Sequence, residues 1–107
     1  MKLYRIFLPK KYNTNEEIPM NLILQIAEEI EKRFGAYSMN PFAYLPIIQG
    51  SWKDNEGLNY KEQMFLLELF VEDTFENKEW IQAYKVMIKQ KLKQKEIFII
   101  GLNAEIV

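Results

Sequence analysis

The chain has no cysteine and no histidine among its 107 residues. Without cysteine it can form no disulfide bond, thiolate zinc site or cysteine nucleophile. Without histidine, its serines lack the general base that most often activates such a nucleophile. A glycine-rich phosphate loop is also missing, since the chain has four glycines in all. We therefore predict no catalytic residue, no metal and no cofactor.

An excess of charge of one sign and long apolar runs are missing as well. Lysine and arginine number 14 against 15 aspartates and glutamates, for a net charge of −1, which disfavours a nucleic-acid partner. No run approaches the roughly 20 apolar residues of a membrane-spanning helix, and the start of the chain does not resemble a signal peptide. These absences, with the lack of cysteine, favour a cytoplasmic protein without a membrane partner.

The chain does contain enough apolar material for one domain over residues 1–107. Hydrophobic residues make up 49% and charged residues 27%, which is ordinary for a globular protein. A chain of this length buries about 65% of its unfolded surface, enough for one core without covalent links.

The first part of the chain predicts a strand followed by a helix. Leu3–Leu8 is short and rich in aromatic and branched residues, which predicts a strand. From Leu22 to Phe34, apolar residues recur at spacings of three and four, which predicts a helix. Pro19 suits the first turn of that helix, and Gly35 suits a left-handed C-cap.

The middle of the chain predicts a hairpin. Phe42–Trp52 predicts a second strand, and Pro46 within it indicates a sheet edge because proline donates no ladder hydrogen bond. A turn at Asp54–Gly57 then leads to a third strand at Gln63–Glu72. Strict alternation in this third strand predicts a core face of Phe65, Leu67, Leu69 and Val71.

The last part predicts a helix at about Lys78–Lys95 with Asn77 as its N-cap. Its apolar stripe comprises Trp80, Ile81, Tyr84, Met87, Ile88 and Leu92. A closing strand follows in two pieces, Ile97–Ile100 and Leu102–Val107, with a bend at Gly101. The order βαββαβ predicts an α+β, ferredoxin-like sandwich: a four-stranded antiparallel sheet with two helices on one face and strand order 4-1-3-2.

Several short motifs resemble those of a group of small prokaryotic proteins whose function is not established. They are Phe34-Gly35-Ala36-Tyr37, Gly50-Ser51-Trp52 and Tyr60-x-Glu62. The resemblance covers residues 19–107, and it implies a compact α+β domain and no particular activity.

The densest cluster of polar and aromatic residues is Trp52, Lys53, Tyr60 and Glu62, on either side of the predicted hairpin. Trp52 and Tyr60 suit a stacking platform, with Lys53 or Glu62 selecting a polar ligand or a partner segment. Cross-strand aromatic packing explains the same residues without any function and is the more frequent case. Both interpretations stay open on the sequence alone.

The other charged residues give weaker hypotheses. Glu68 and Glu72 share one face of a predicted strand but lie about 13 Å apart at ~3.3 Å per residue, too far for one metal ion. Lys85, Lys89 and Lys93 recur every four residues, which is typical of a solvated helix face near the helix C-terminus.

The second face of the third strand carries Met64, Leu66 and Phe70, which makes it more apolar than solvent exposure requires. We therefore predict a non-catalytic interaction module that associates through this open sheet face, as a homodimer or with another protein. The alternative is a small enzyme or ligand-binding dimer that uses a cavity near Trp52 and Tyr60. A metal-dependent nuclease is less favoured because the first strand ends without an acidic residue.

Overall fold

The computed structural model describes residues 1–35, 38–39, 48–53 and 59–107, and the side chains of residues 1–35 and 63–107. Two helices and five strand segments follow the chain in the order β1 (Lys2–Pro9), α1 (Met20–Phe34), β2 (Ser38–Met39), β3 (Ile48–Lys53), β4 (Asn59–Val71), α2 (Phe75–Lys91) and β5 (Ile99–Asn103). The chain thus has an α+β fold with two helices and one antiparallel sheet, as predicted.

Strand β1 lies at the centre of one antiparallel sheet. Its residues 2–9 pair with residues 64–71 of β4, and its residues 2–6 pair with residues 99–103 of β5. Segments β2 and β3 both pair with the other edge of β4. The sheet therefore has a three-stranded centre, β5-β1-β4, which β2 and β3 extend.

The core lies between one face of this sheet and the two helices. Alternate residues of β1 and β4 are buried there, namely Tyr4, Ile6, Leu8, Phe65, Leu67, Leu69 and Val71. The helices contribute Ile23, Ile26, Ala27, Ile30, Ile81, Tyr84 and Ile88. The core face predicted for the third strand is confirmed, because alternation over a long strand leaves a single choice of buried face.

Helix α1 ends as predicted, but Pro19 is its N-cap and does not lie in its first turn. It starts directly after Pro19 and ends at Gly35, which has a φ of 85° and donates its N–H to the carbonyl of Glu31. That left-handed conformation favours glycine, and Lys32 and Arg33 in the last turn suit the negative end of the helix.

Helix α2 begins three residues earlier and ends four residues earlier than predicted. Its N-cap is Thr74, whose hydroxyl accepts a hydrogen bond from the N–H of Asn77 at 3.1 Å, so Asn77 is not the cap. The helix ends before Lys93, which has a φ of 51°. Met87 is exposed, contrary to prediction, because it lies about 100° around the helix from Ile88, at the margin of the buried stripe.

The helices also contact each other directly. The rings of Phe34 and Trp80 meet edge to face with centroids 5.1 Å apart. At the other end of the contact, Lys91 Nζ donates to Glu29 Oε1 at 2.8 Å. This bond is the main reason that the pKa of Glu29 is lowered.

Two of the strands differ from prediction. β4 starts at Asn59, four residues before the predicted third strand. β5 covers Ile99–Asn103 without a bend, because Gly101 keeps the register and pairs with Tyr4.

The predicted second strand is described only in part. Of its span, residues 48–52 lie in β3, while residues 42–47, with Pro46, and the Asp54–Gly57 turn lie outside the described residues. The short β2 was not predicted. The predicted number of four strands therefore stays a prediction, because residues 40–47 between β2 and β3 lie outside the described residues.

Replacing the α2 cap tests where this helix begins. We expect Thr74→Ala to lower the free energy of unfolding by about 1 kcal/mol, because the N–H of Asn77 loses its acceptor. Thr74→Ser keeps a hydroxyl at the same place, and we expect it to match the wild type within a few tenths of a kcal/mol. Denaturant unfolding measures both, and equal losses in the two variants would contradict the cap.

Candidate functional site

The sheet face away from the helices is a candidate functional surface of the described residues. We call it the open face. It carries the outward side chains of the three central strands and of Phe98, namely Leu3, Arg5, Phe7, Met64, Leu66, Glu68, Phe70, Phe98, Ile100 and Leu102. Eight of these ten side chains are apolar.

The register brings the apolar residues of the open face together across the strands. Leu3 of β1 stands opposite Phe70 of β4 on one side and Leu102 of β5 on the other. Phe7 stands opposite Leu66. Directly opposed side chains on one face of an antiparallel pair lie in contact range. The open face is thus apolar at both ends of β1.

The exposed part of the open face is concentrated on β5 and its neighbours. Phe70, Phe98, Ile100 and Leu102 are between 40% and 59% exposed. Together they leave on the order of 400 Å² of apolar surface in water, which is comparable to the largest patch on a typical monomer. A patch of this kind marks a site of association more often than an ordinary surface does.

The centre of the open face holds one pair of opposite charges. Arg5 Nε lies 3.1 Å from Glu68 Oε2, and the two residues are directly opposed in the β1–β4 register. Their side chains are 43% and 34% exposed, so the bond contributes at most about 1 kcal/mol to folding. Among the ten side chains named above, no other carries a charge.

The interface residues predicted from the sequence account for only part of this surface. Met64, Leu66 and Phe70 do lie on the face away from the core, but Met64 and Leu66 are half-buried. The contribution of β5 was missed because Ile97–Ile100 is apolar throughout and gives no alternation. Only the pairing with β1 shows that Ile100 points outward.

The predicted aromatic cluster lies at the other edge of the sheet, along β3 and β4. The backbone pairing places Trp52 directly opposite Tyr60 and Lys53 opposite Asn59, while Glu62 pairs with Gly50. The side chains of these residues lie outside the described part of the chain. A role for Trp52, Lys53, Tyr60 and Glu62 in binding therefore stays a prediction.

The acidic residues form no evident metal site in the described part of the chain. There, no group of three or more acidic residues is placed to hold a metal ion. Lys85 pairs with Glu96 at 3.0 Å, and Lys93 lies 5.6 Å from the centre of the Tyr12 ring. Over the same residues, neither helix is long and apolar enough to cross a membrane.

A second concave surface lies on the helix side of the sheet, between α2 and β5. We call it the β5 groove. It has a volume of about 350 Å³ and is lined by Lys2, Tyr4, Lys78, Ile81, Gln82, Lys85, Ile99 and Gly101. No sequence pattern predicts this groove, because its residues come from three elements that are far apart along the chain.

Gly101 helps to form the β5 groove by having no side chain. A Cβ atom at this position would lie 3.1 Å from Cε1 of Tyr4, which is closer than an ordinary contact. Burial of Tyr4, and to a lesser degree the charge of Asp73, raises the pKa of the Tyr4 hydroxyl. Tyr4 is therefore a neutral wall of the groove at physiological pH.

Comparisons with known proteins found similarity only among solved structures. No family model matches the chain, and no curated protein matches it. The structure of a phage SAM lyase in complex with S-methyl-5′-thioadenosine is similar, with a TM-score of 0.65 and 14% identity over 94% of this chain and 79% of that one. A de novo designed protein with a ferredoxin fold aligns with a TM-score of 0.36 and 16% identity, over 99% of this chain and 86% of that one.

At such identities the first likeness shows the fold alone. The resemblance to the small prokaryotic group stays a prediction.

Proposed function

We propose that this chain is a cytoplasmic, non-catalytic interaction module that binds a second copy of itself through the open face. The observation that carries the proposal is the apolar surface of Phe70, Phe98, Ile100 and Leu102 beside a single central ion pair. Exposure of such a surface to water is unfavourable. Association becomes favourable because another apolar surface then removes it from water.

The central ion pair favours a second copy as the partner. In a two-fold symmetric dimer the same patch meets itself. An axis passing between Arg5 and Glu68 brings Arg5 of each copy towards Glu68 of the other, so the charges are complementary without any further residue. Each apolar end of the open face then lies against the same end of the other copy.

The size of the patch sets the expected strength. A standard interface buries about 800 Å² on each partner, roughly twice the exposed area of the four most exposed apolar residues. The half-buried residues and the ion pair add to it. We therefore expect a reversible dimer whose mass depends on concentration, since area and affinity are only loosely related.

We further propose that β2 and β3 are two parts of a single edge strand, which makes the domain a four-stranded ferredoxin-like sandwich. In support, both segments pair antiparallel with the same edge of β4, β2 at residues 67–68 and β3 at residues 59–64. The open face would then extend over β3, next to Met64.

The alternative function is a small enzyme or a ligand-binding dimer. It draws support from the likeness to the phage SAM lyase, which is described in complex with S-methyl-5′-thioadenosine. The site named from the sequence, at Trp52 and Tyr60, lies on β3 and β4, whereas the β5 groove lies at the opposite edge of the sheet.

Substituting one phenylalanine tests the homodimer. We expect the wild type to have twice its chain mass of 12.9 kDa in light scattering at high concentration. Phe70→Glu should be a folded monomer, because it places an unpaired carboxylate in the apolar interface of each copy. Phe75→Glu is the matched control, since Phe75 is 74% exposed at the start of α2, where a glutamate is favourable. A monomeric wild type, or equal loss of dimer in both variants, would contradict the proposal.

Opposite charge variants test the two-fold arrangement more sharply. Arg5→Glu gives a face with two acidic residues, and Glu68→Arg gives a face with two basic residues. We expect each variant alone to be monomeric through like-charge repulsion, and a 1:1 mixture to form a heterodimer. Light scattering of the mixture measures this, and the regained association shows that both variants are folded. A mixture that stays monomeric while the wild type is dimeric would rule out this axis.

Calorimetric titration with S-methyl-5′-thioadenosine tests the alternative. Under the proposed function we expect no binding by the wild type. Saturable binding that Trp52→Ala loses and Trp80→Ala keeps would favour the ligand-binding function instead, since Trp80 lies between the helices.

A further inference from the structure

We propose that the β5 groove binds a small phosphate-bearing molecule. The groove lies on the helix side of the sheet, so this inference goes beyond the proposed function and does not depend on dimerisation through the open face. It depends on three observations: the charges that line the groove, the apolar floor, and the free backbone edge of β5.

The charges that line the β5 groove are all positive. Lys2 comes from β1, and Lys78 and Lys85 come from α2, while no carboxylate is among the lining residues. In a chain of net charge −1, this is a local concentration of cations. Lys78 and Lys85 are seven residues apart, so they lie on the same side of the helix about 10 Å apart along its axis. The groove therefore suits an anion and disfavours a cationic ligand.

The existing partners of these lysines are weak enough to be exchanged. Lys2 Nζ lies 3.0 Å from Asn103 Oδ1 and 4.0 Å from Asp73, and Lys85 Nζ lies 3.0 Å from Glu96. Both carboxylates are about half exposed, and such pairs contribute little in water. Lys78 has no ion pair within the described residues. A phosphate dianion can accept hydrogen bonds from several of these amines at once.

The floor of the β5 groove is apolar. Ile81 and Ile99 lie beside the ring of Tyr4, and Gly101 leaves room above that ring. Gln82 adds an amide that can both donate and accept hydrogen bonds. A ligand with an apolar or planar body and a phosphate at one end matches this lining. The volume of about 350 Å³ lies at the lower end of the range for small-molecule sites, ~300–1,000 Å³.

The outer edge of β5 offers backbone donors. Phe98 accepts the N–H of Phe7, and Ala104 donates to the carbonyl of Met1, so the residues that bond to β1 are the even-numbered ones. The N–H groups of Ile99 and Gly101 therefore point away from β1, and no strand pairs with this edge in the described part of the chain. Both residues also line the groove. These N–H groups can donate hydrogen bonds to a phosphate, as backbone N–H groups do in many anion-binding sites.

Titrations with adenosine monophosphate, adenosine and inorganic phosphate test the site. The amide NMR signals of the full chain are the readout. We expect adenosine monophosphate to shift the signals of Ile99, Gly101 and the α2 residues near Lys78. It should bind more tightly than adenosine or inorganic phosphate alone, with an affinity that falls as salt is added. Equal binding of adenosine, or shifts confined to residues outside the groove, would overturn the proposal.

Two groove variants and one control locate the site. We expect Lys78→Gln to weaken binding of adenosine monophosphate about five- to tenfold, since one charged hydrogen bond is lost. Gly101→Ala should abolish it, because the added Cβ narrows the groove against Tyr4. Lys32→Gln, on α1 and away from the groove, should bind like the wild type, and thermal unfolding checks that every variant is folded. Unchanged binding in Lys78→Gln, or an equal loss in Lys32→Gln, would overturn the proposal.

Discussion

The pairing of β1 with both β4 and β5 is the constraint on which the rest of the structure depends. It fixes which side chains of three strands face the helices and which face away. A slip of one residue in the β1–β4 pairing would turn a charged side chain of the open face towards the core and core side chains away from it. The same pairing places Arg5 against Glu68 and Gly101 against Tyr4. The open face and the β5 groove are thus two consequences of one register, on opposite sides of one sheet.

The parts of the fold that the sequence predicted are those with local and regular patterns. Helix α1 has an apolar stripe between Pro19 and a glycine that can adopt a left-handed conformation, and the core face of β4 follows from strict alternation. The predicted start of α2 was wrong because Thr74 and Asn77 are both favourable N-cap residues. Only the hydrogen bond from the N–H of Asn77 to the Thr74 hydroxyl decides between them. The predicted bounds of the closing strand were wrong because Ile97–Ile100 are all apolar and show no alternation.

The candidate sites were harder to predict than the fold, for a different reason. Phe70 could be predicted as an interface residue because it lies in a strand with an alternating pattern. Leu102, on the other side of β1, belongs to the same surface only because β1 pairs with both β4 and β5. The β5 groove combines residues 2–4, 78–85 and 99–101, and no local pattern connects segments so far apart. A lysine on a helix gives the same sequence signal whether it faces solvent or a groove.

The partnership of β1 and β5 also bears on how the chain folds. Lys2 and Asn103 bond across a separation of 101 residues, and contacts of such long range form slowly because a large loop must close first. Until β5 emerges during synthesis, one edge of β1 has no strand beside it, and that edge is flanked by apolar side chains. The β5 segment of a neighbouring chain is an equally good match for it. Exchange of this last strand between two chains is therefore the misassembly to which this topology is most exposed.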